Sequence, residues 1–148
     1  MSLTEYAPNT VFLGGGEKTV INHLKAVEAI TPGMVVEYHD DSSELKWGVH
    51  DSADDNVEAF VLNNQVIDNN GIETACAAGD LVEVLSLTAG ATFYGIIPSG
   101  QNIARGARLQ SNGDGKLKAL GSGKAKFLAL ESSGAVTADT RIRVEVAY

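Results

Sequence analysis

The segment ARLQSNGDGKLKAL, from Ala107 to Leu120, carries the clearest structural signal in the chain. Two short runs that can form strands, Ala107–Gln110 and Lys116–Leu120, flank the sequence Ser-Asn-Gly-Asp-Gly. Glycine adopts the positive φ that tight hairpin turns require, and Asn and Asp favour the same turns. The segment therefore predicts a β-hairpin.

The wider block from Ser99 to Glu131 is rich in glycine and lysine, which raises the possibility of a phosphate-binding loop. Such a loop has the spacing G-x-x-x-x-G-K-[ST] and leads into a helix. Here Gly115-Lys116 precedes Leu117, Gly123-Lys124 precedes Ala125, and the segments that follow resemble strands. We therefore expect these glycines to form turns and not to bind nucleotides.

Short apolar runs separated by turn residues continue along the chain. The predicted strands cover residues 34–39, 45–50, 57–63, 81–87, 92–99, 126–132 and 141–148. The last one, RIRVEVAY, alternates charged and apolar residues, which is typical of a strand with one buried face. Many short strands at close spacing predict an all-β fold, either a small β-barrel or a β-sandwich with tight hairpins.

Two stretches of the sequence resemble each other. ITPGMVVE (Ile30–Glu37) and CAAGDLVE (Cys76–Glu83) each place a glycine shortly before an apolar pair and a glutamate. The likeness is too short for a repeat architecture. It predicts two similar turns, each leading into a strand.

The first 30 residues differ from the rest and predict an extended N-terminal arm, followed by a β domain over residues 31–148. Gly14–Gly16 form a run of three glycines, which is typical of a flexible joint. Between Glu17 and Ile30 the apolar spacing fits a helix, whereas the β-branched residues favour extended structure. We leave both open, with a preference for the extended form.

Composition limits the functional classes. The chain has 148 residues and a net charge of −8, so its surface repels nucleic-acid phosphates, and we expect no nucleic-acid partner. No apolar run is long enough to span a bilayer, and the N-terminus does not resemble a signal peptide, so we expect synthesis in the cytoplasm and no membrane partner. The single cysteine, Cys76, lies among alanines and is expected to be a small buried residue.

Neither catalysis nor a cofactor is predicted. The clusters His39-Asp40-Asp41 and 50–56 are rich in metal-ligand types but do not fit a calcium loop. His39 and His50 could face each other across a hairpin, but a zinc site would need two further ligands, and His23 is the only other histidine. There is no G-x-S-x-G motif. We expect solvated turns, no metal and no enzymatic activity.

The order of several segments resembles the small decoration (cement) proteins of tailed-phage capsids. The likeness runs from about Ile30 to Tyr148, and its most specific parts are AAGDLVEV, SGQNIARGARLQSNGDGKLKA and RIRVEV. The resemblance implies a non-enzymatic virion protein on the outer capsid surface. Such a protein would bind the major capsid protein after shell expansion, bridge neighbouring subunits and stabilise the head against DNA pressure. It also implies a homotrimer at three-fold or quasi-three-fold positions.

Two groups of residues are candidates for these contacts. Apolar residues before the glycine run are predicted to bind the capsid, namely Tyr6, Val11, Phe12 and Leu13. Arg141 and Arg143 are predicted either to join subunits or to form a solvated strand face. Two alternatives remain open: a glycan-binding module that uses Trp47 or Tyr38, and a tail or spike component of a phage particle.

Overall fold

The computed structural model describes residues 10–55, 57–65 and 72–147. Every regular element in these ranges is a β-strand, and none of the described segments forms a helix that could cross a membrane. The strands are β1 (Phe12–Gly14), β2 (Lys18–Ile21), β3 (Val36–Asp41), β4 (Glu44–Val49), β5 (Phe60–Gln65), β6 (Val82–Leu87), β7 (Thr92–Ile97), β8 (Asn102–Ile103), β9 (Arg108–Ser111), β10 (Leu117–Ala119), β11 (Phe127–Ala129), β12 (Gly134–Ala135) and β13 (Thr140–Val146).

The strands form several antiparallel sheets. The largest has the order β1-β7-β13-β11-β9-β10, and a three-stranded sheet has the order β2-β6-β5. The pairs β3-β4 and β8-β12 complete the described fold. The prediction of an all-β fold is confirmed. The described strands form no closed barrel, and of the two predicted architectures the sandwich is the one that fits.

The hairpin predicted between Ala107 and Leu120 is present. β9 pairs with β10 in antiparallel register, with Leu117 opposite Ser111, and both residues are buried. The turn between them contains Gly113 and Gly115, whose φ angles are +90° and +80°. Glycine is required there because side chains disfavour this conformation. The hairpin forms one edge of the largest sheet.

Strand β13 also has the predicted alternation. Its apolar residues Ile142, Val144 and Val146 are buried, whereas Arg143 between them is exposed. The strand lies between β7 and β11 in the sheet. Its buried face contributes to the larger of two hydrophobic cores.

The two cores lie in different parts of the fold. The first is built mainly from the six-stranded sheet together with part of β5 and β6, and it contains the edge-to-face pair Phe93 and Phe127, whose ring centroids are 5.6 Å apart. The second surrounds Trp47. Its buried members are Ala26, Ile30, Val36, Trp47, Leu62, Cys76, Val82 and Val84.

The two similar stretches adopt the same turn. In Thr31–Met34 and in Ala77–Asp80, the amide of the fourth residue donates to the carbonyl of the first at 3.1 Å. The glycine at the third position has φ of +96° and +90° respectively, as a type II turn requires. The two stretches also pair through Ile30 and Cys76, with N–O distances of 3.2 and 2.8 Å. The prediction of two similar turns that lead into strands is confirmed.

Residues 10–30 do not form a separate arm. β1 pairs with β7, and β2 pairs with β6. Val11 is fully buried in the first core, and Ala26 and Ile30 are fully buried in the second. The predicted boundary at residue 30 therefore does not correspond to a boundary in the described fold. The local sequence could not reveal this, because the strands that pair with this segment are far along the chain.

The glycine run makes a close backbone contact. Gly15 and Gly16 have φ angles of +74° and +53°. A Cβ atom on Gly15 would lie 2.4 Å from the carbonyl oxygen of Gly90, and one on Gly16 would lie 2.7 Å from the amide nitrogen of Ala91. The run therefore provides a tight connection between the two sheets, where both the conformation and the contact exclude side chains.

Candidate partner-binding surface

Two edge strands of the N-terminal segment expose large apolar side chains. Leu13 lies on β1, at the edge of the six-stranded sheet, and is 38% exposed. Val20 lies on β2, at the edge of the three-stranded sheet, and is 44% exposed. Edge strands also present backbone groups that a further strand can pair with. We call Phe12, Leu13 and Val20 the N-terminal edge surface.

The two strands are linked by a side-chain contact. The Lys18 ammonium lies 4.8 Å from the centroid of the Phe12 ring, which is a cation–π distance. Phe12 is half-buried and packs against the first core. The contact brings the beginning of β2 next to β1.

The predicted capsid-binding residues occupy different environments. Val11 is fully buried, so its side chain is not available at the surface of the described fold. Phe12 is half-buried and Leu13 is exposed. Tyr6 lies outside the described residues. Sequence reasoning did not identify Val20, although its position in the β-branched run 19–21 could have indicated an edge strand.

Arg141 makes contacts within the chain. Its Nε donates to Glu73 Oε1 at 3.0 Å, and its Nη2 donates to the carbonyl oxygen of Ile72. The side chain is only 11% exposed, and burial lowers the pKa of the guanidinium, against the opposing effect of Glu73. Arg141 therefore attaches the segment at Ile72 and Glu73 to β13. A role in joining subunits stays a prediction.

Arg143 is in a more open position on the same strand. Its side chain is 55% exposed, and its Nε donates to Glu131, which raises the pKa of Arg143. An exposed ion pair of this kind contributes little to folding. The guanidinium remains accessible, and the predicted subunit contact of Arg143 is not tested by the fold.

The two aromatic residues considered for glycan binding stack on each other. The ring centroids of Tyr38 and Trp47 are 4.2 Å apart, and Phe60 meets Trp47 edge-on at 5.2 Å. Trp47 is fully buried, so its indole face is not open to a sugar. Tyr38 and Leu45, both on the β3–β4 hairpin, are exposed and form a second apolar area.

Cys76 is buried, as predicted, and burial raises the pKa of its thiol. A thiol with a raised pKa is a poor nucleophile at neutral pH because little thiolate is present. Cys76 packs in the second core and pairs with Ile30 through the backbone. Its position gives it a packing role.

His39 and His50 both lie close to Glu37, a residue that sequence reasoning missed. His39 Nε2 lies 3.5 Å from Glu37 Oε1, and His50 Nε2 lies 4.0 Å from Glu37 Oε2. The carboxylate of Asp51 is close to the first pair. The i, i+2 spacing of Glu37 and His39 places them on one face of β3 and was a usable signal. The approach of Asp51 and His50 depends on tertiary structure.

Comparison with known proteins identifies a fold relative. No family model and no curated protein matches the chain. Among solved structures, the N base of the head fiber protein gp8.5 of bacteriophage phi29 is similar, with a TM-score of 0.55 and 13% sequence identity. The match covers 88% of this chain and 95% of the other. At this identity the similarity establishes a shared all-β fold.

Proposed function

We propose that this chain is a structural protein of a tailed-phage virion that binds the outside of the head. In this proposal it contacts the major capsid protein and bridges neighbouring subunits, which stabilises the expanded shell. The observation that carries it is the fold shared with a phage head fiber base over nearly the full length of both chains. The ordered resemblance of three sequence segments to capsid decoration proteins supports the same class.

The N-terminal edge surface is the proposed contact with the capsid. Leu13 and Val20 are large apolar residues on open strand edges, and a capsid strand or loop could cover both. Three copies around a three-fold axis would triple each contact, and the gain in avidity would not require a strong single contact. A ligand that binds only the expanded shell stabilises that form by mass action.

The magnitude of the contact follows from the exposed fractions. Full burial of a Leu or Val side chain contributes about 1.5–3 kcal/mol. Covering the exposed 38% of Leu13 and 44% of Val20 would then contribute about 1–2.5 kcal/mol per copy. The double variant Leu13→Ser/Val20→Ser should bind roughly five- to seventyfold more weakly at a single site.

The test is co-sedimentation of purified protein with expanded heads that lack it, followed by electron microscopy of the decorated particles. Leu45→Ser is the matched control, because Leu45 is 47% exposed on the separate β3–β4 hairpin. Absence of wild-type binding would overturn the proposed function. Wild-type binding with equal affinity of the double variant would overturn only the assignment of the surface. Deletion of residues 1–9 tests the contribution of Tyr6.

The proposed trimer requires its own measurement. Light scattering coupled to size-exclusion chromatography gives the mass of the free protein. On decorated heads, electron microscopy shows whether the bound copies are arranged in threes. Arg143→Ala should weaken the trimer if this exposed side chain joins subunits, whereas Arg105→Ala, another exposed arginine, should not. A monomeric mass in solution together with single copies on the head would contradict the trimer.

A further inference from the structure

Three potential metal ligands converge beside the β3–β4 hairpin. The ligand atoms of Glu37, His39 and Asp51 all lie within 4.8 Å of one another. Glu37 and His39 share one face of β3, and Asp51 follows the end of β4. The backbone amide of Asp51 also donates to Glu37 Oε1 at 3.3 Å, which holds the two residues together.

The geometry between Glu37 and His39 fits two ligands on one ion better than it fits a hydrogen bond. Nε2 of His39 is buried and has no hydrogen-bond partner among the described residues, although Glu37 Oε1 is 3.5 Å away. In tetrahedral zinc sites the bonds to nitrogen and oxygen are about 2.0–2.2 Å long, so adjacent ligand atoms lie about 3.4 Å apart. A buried imidazole nitrogen without a partner normally carries a cost that a bound cation would remove.

A second imidazole is directed at the same carboxylate. The side chain of His50 is only 5% exposed, and its Nδ1 lies 2.7 Å from Ser111 Oγ. When Nδ1 donates to this hydroxyl, the lone pair of Nε2 faces Glu37 Oε2 at 4.0 Å, beyond hydrogen-bond distance. The ring nitrogens of His50 do not belong to the group of ligand atoms that lie within 4.8 Å of one another, so His50 flanks the Glu37 carboxylate and is not a ligand in this site.

The surroundings leave room for this arrangement and concentrate negative charge in it. Gly48 lies opposite Glu37 on β4, and a Cβ there would come within 2.6 Å of the His39 ring. Glu28 Oε2, which accepts a hydrogen bond from the Val49 amide, approaches the same point. The cation across the strand pair from His39 is Lys46, and it pairs with Asp41 at 2.7 Å instead.

We propose that Glu37, His39 and Asp51 bind one divalent transition-metal ion, for which Zn²⁺ is the best match. One imidazole and two carboxylates are ligands that zinc accepts, with a fourth position open to water, whereas calcium prefers oxygen donors alone. The sequence argued against a metal because two ligands were missing next to the histidines. The fold supplies them in Glu37 and Asp51. This site is independent of the proposed capsid contact.

The experiment is calorimetric titration of Zn²⁺ into untagged, chelator-treated protein, with Ca²⁺ titrated in parallel. One Zn²⁺ should bind per chain, and more tightly than Ca²⁺. His39→Ala and Asp51→Asn should each weaken Zn²⁺ binding by at least about tenfold. His23→Ala is the matched control, because His23 is exposed elsewhere and should bind as the wild type does.

Gly48→Ala is a second variant that keeps every ligand. Its added methyl group should displace the His39 ring, and Zn²⁺ affinity should fall by about ten- to a hundredfold, the range seen when groups that orient ligands are altered. Thermal melting without metal verifies that each variant is folded. The proposal is overturned if wild-type protein shows no saturable Zn²⁺ binding, if His39→Ala binds as tightly as wild type, or if Ca²⁺ binds as tightly as Zn²⁺.

Discussion

The contact between the glycine run and the turn at Gly90 makes a quantitative prediction for Gly15→Ala. Gly15 has φ of +74°, and its substitution by alanine costs about 1–2 kcal/mol from backbone strain alone. The new Cβ would also lie 2.4 Å from the Gly90 carbonyl oxygen, so the backbone must shift. Overpacking of this kind costs about 1–3 kcal/mol. We therefore expect Gly15→Ala to lower the free energy of unfolding by about 2–5 kcal/mol.

Gly79→Ala is the matched control for this variant. Gly79 has φ of +90°, but a Cβ there would meet nothing within 4 Å. Gly79→Ala should therefore show the strain without the clash, a loss of about 1–2 kcal/mol. The difference between the two variants, about 1–3 kcal/mol, isolates the close approach of the N-terminal segment to the turn.

The assay is thermal and denaturant unfolding followed by the fluorescence of the single tryptophan, Trp47, which is buried in the second core. For a chain of this size, 1 kcal/mol shifts Tm by roughly 2–4 °C. Gly15→Ala should therefore melt about 2–12 °C below Gly79→Ala. Equal losses in the two variants would refute the reasoning, because residues 14–16 would then not be held against Gly90.

Three further predictions concern the interior. Cys76 should react with a thiol reagent far more slowly in the folded protein than in denaturant, since burial raises its pKa, and a fast reaction at pH 8 would contradict its burial. Gln110→Leu should lower the free energy of unfolding, measured by chemical denaturation, by about 1–3 kcal/mol. The buried side-chain amide of Gln110 donates to the Ser122 carbonyl at 2.5 Å and accepts from the Gly121 amide at 2.7 Å. A neutral effect would mean that water replaces both bonds. Phe127→Ala should lower stability by about 3–5 kcal/mol because Phe127 is fully buried against Phe93, and a loss below 1 kcal/mol would count against the first core as described.

Local sequence patterns predicted the structure correctly where it depends on residues that are neighbours in the chain. The β9–β10 hairpin follows from turn chemistry between two short strands, and the alternation of β13 follows from one buried face. The likeness of Ile30–Glu37 to Cys76–Glu83 predicted two similar turns, because a glycine at the third position selects the same φ in both. In each case the deciding residues lie within a few positions of one another.

Features that depend on distant partners were not predictable in the same way. The sequence indicated an arm before residue 31, yet β1 and β2 pair with β7 and β6, which lie far along the chain. Gly14–Gly16 indicated flexibility because a triple glycine without context is typical of linkers. The close contact that requires these glycines involves Gly90, and only the folded chain places it there. The cluster at Glu37 has the same origin, since Asp51 and His50 reach it through tertiary structure.

The N-terminal segment links the two cores to the proposed capsid contact. Val11 is buried in the first core and Ile30 in the second, whereas Leu13 and Val20 face outward from the strands between them. Both side chains are still more than half buried in the fold, so replacing the pair by serine should also lower folding stability, by about 2–3.5 kcal/mol. β1 is hydrogen-bonded to β7 and β2 to β6, so a partner that binds both β1 and β2 would transmit force to both sheets through these backbone hydrogen bonds.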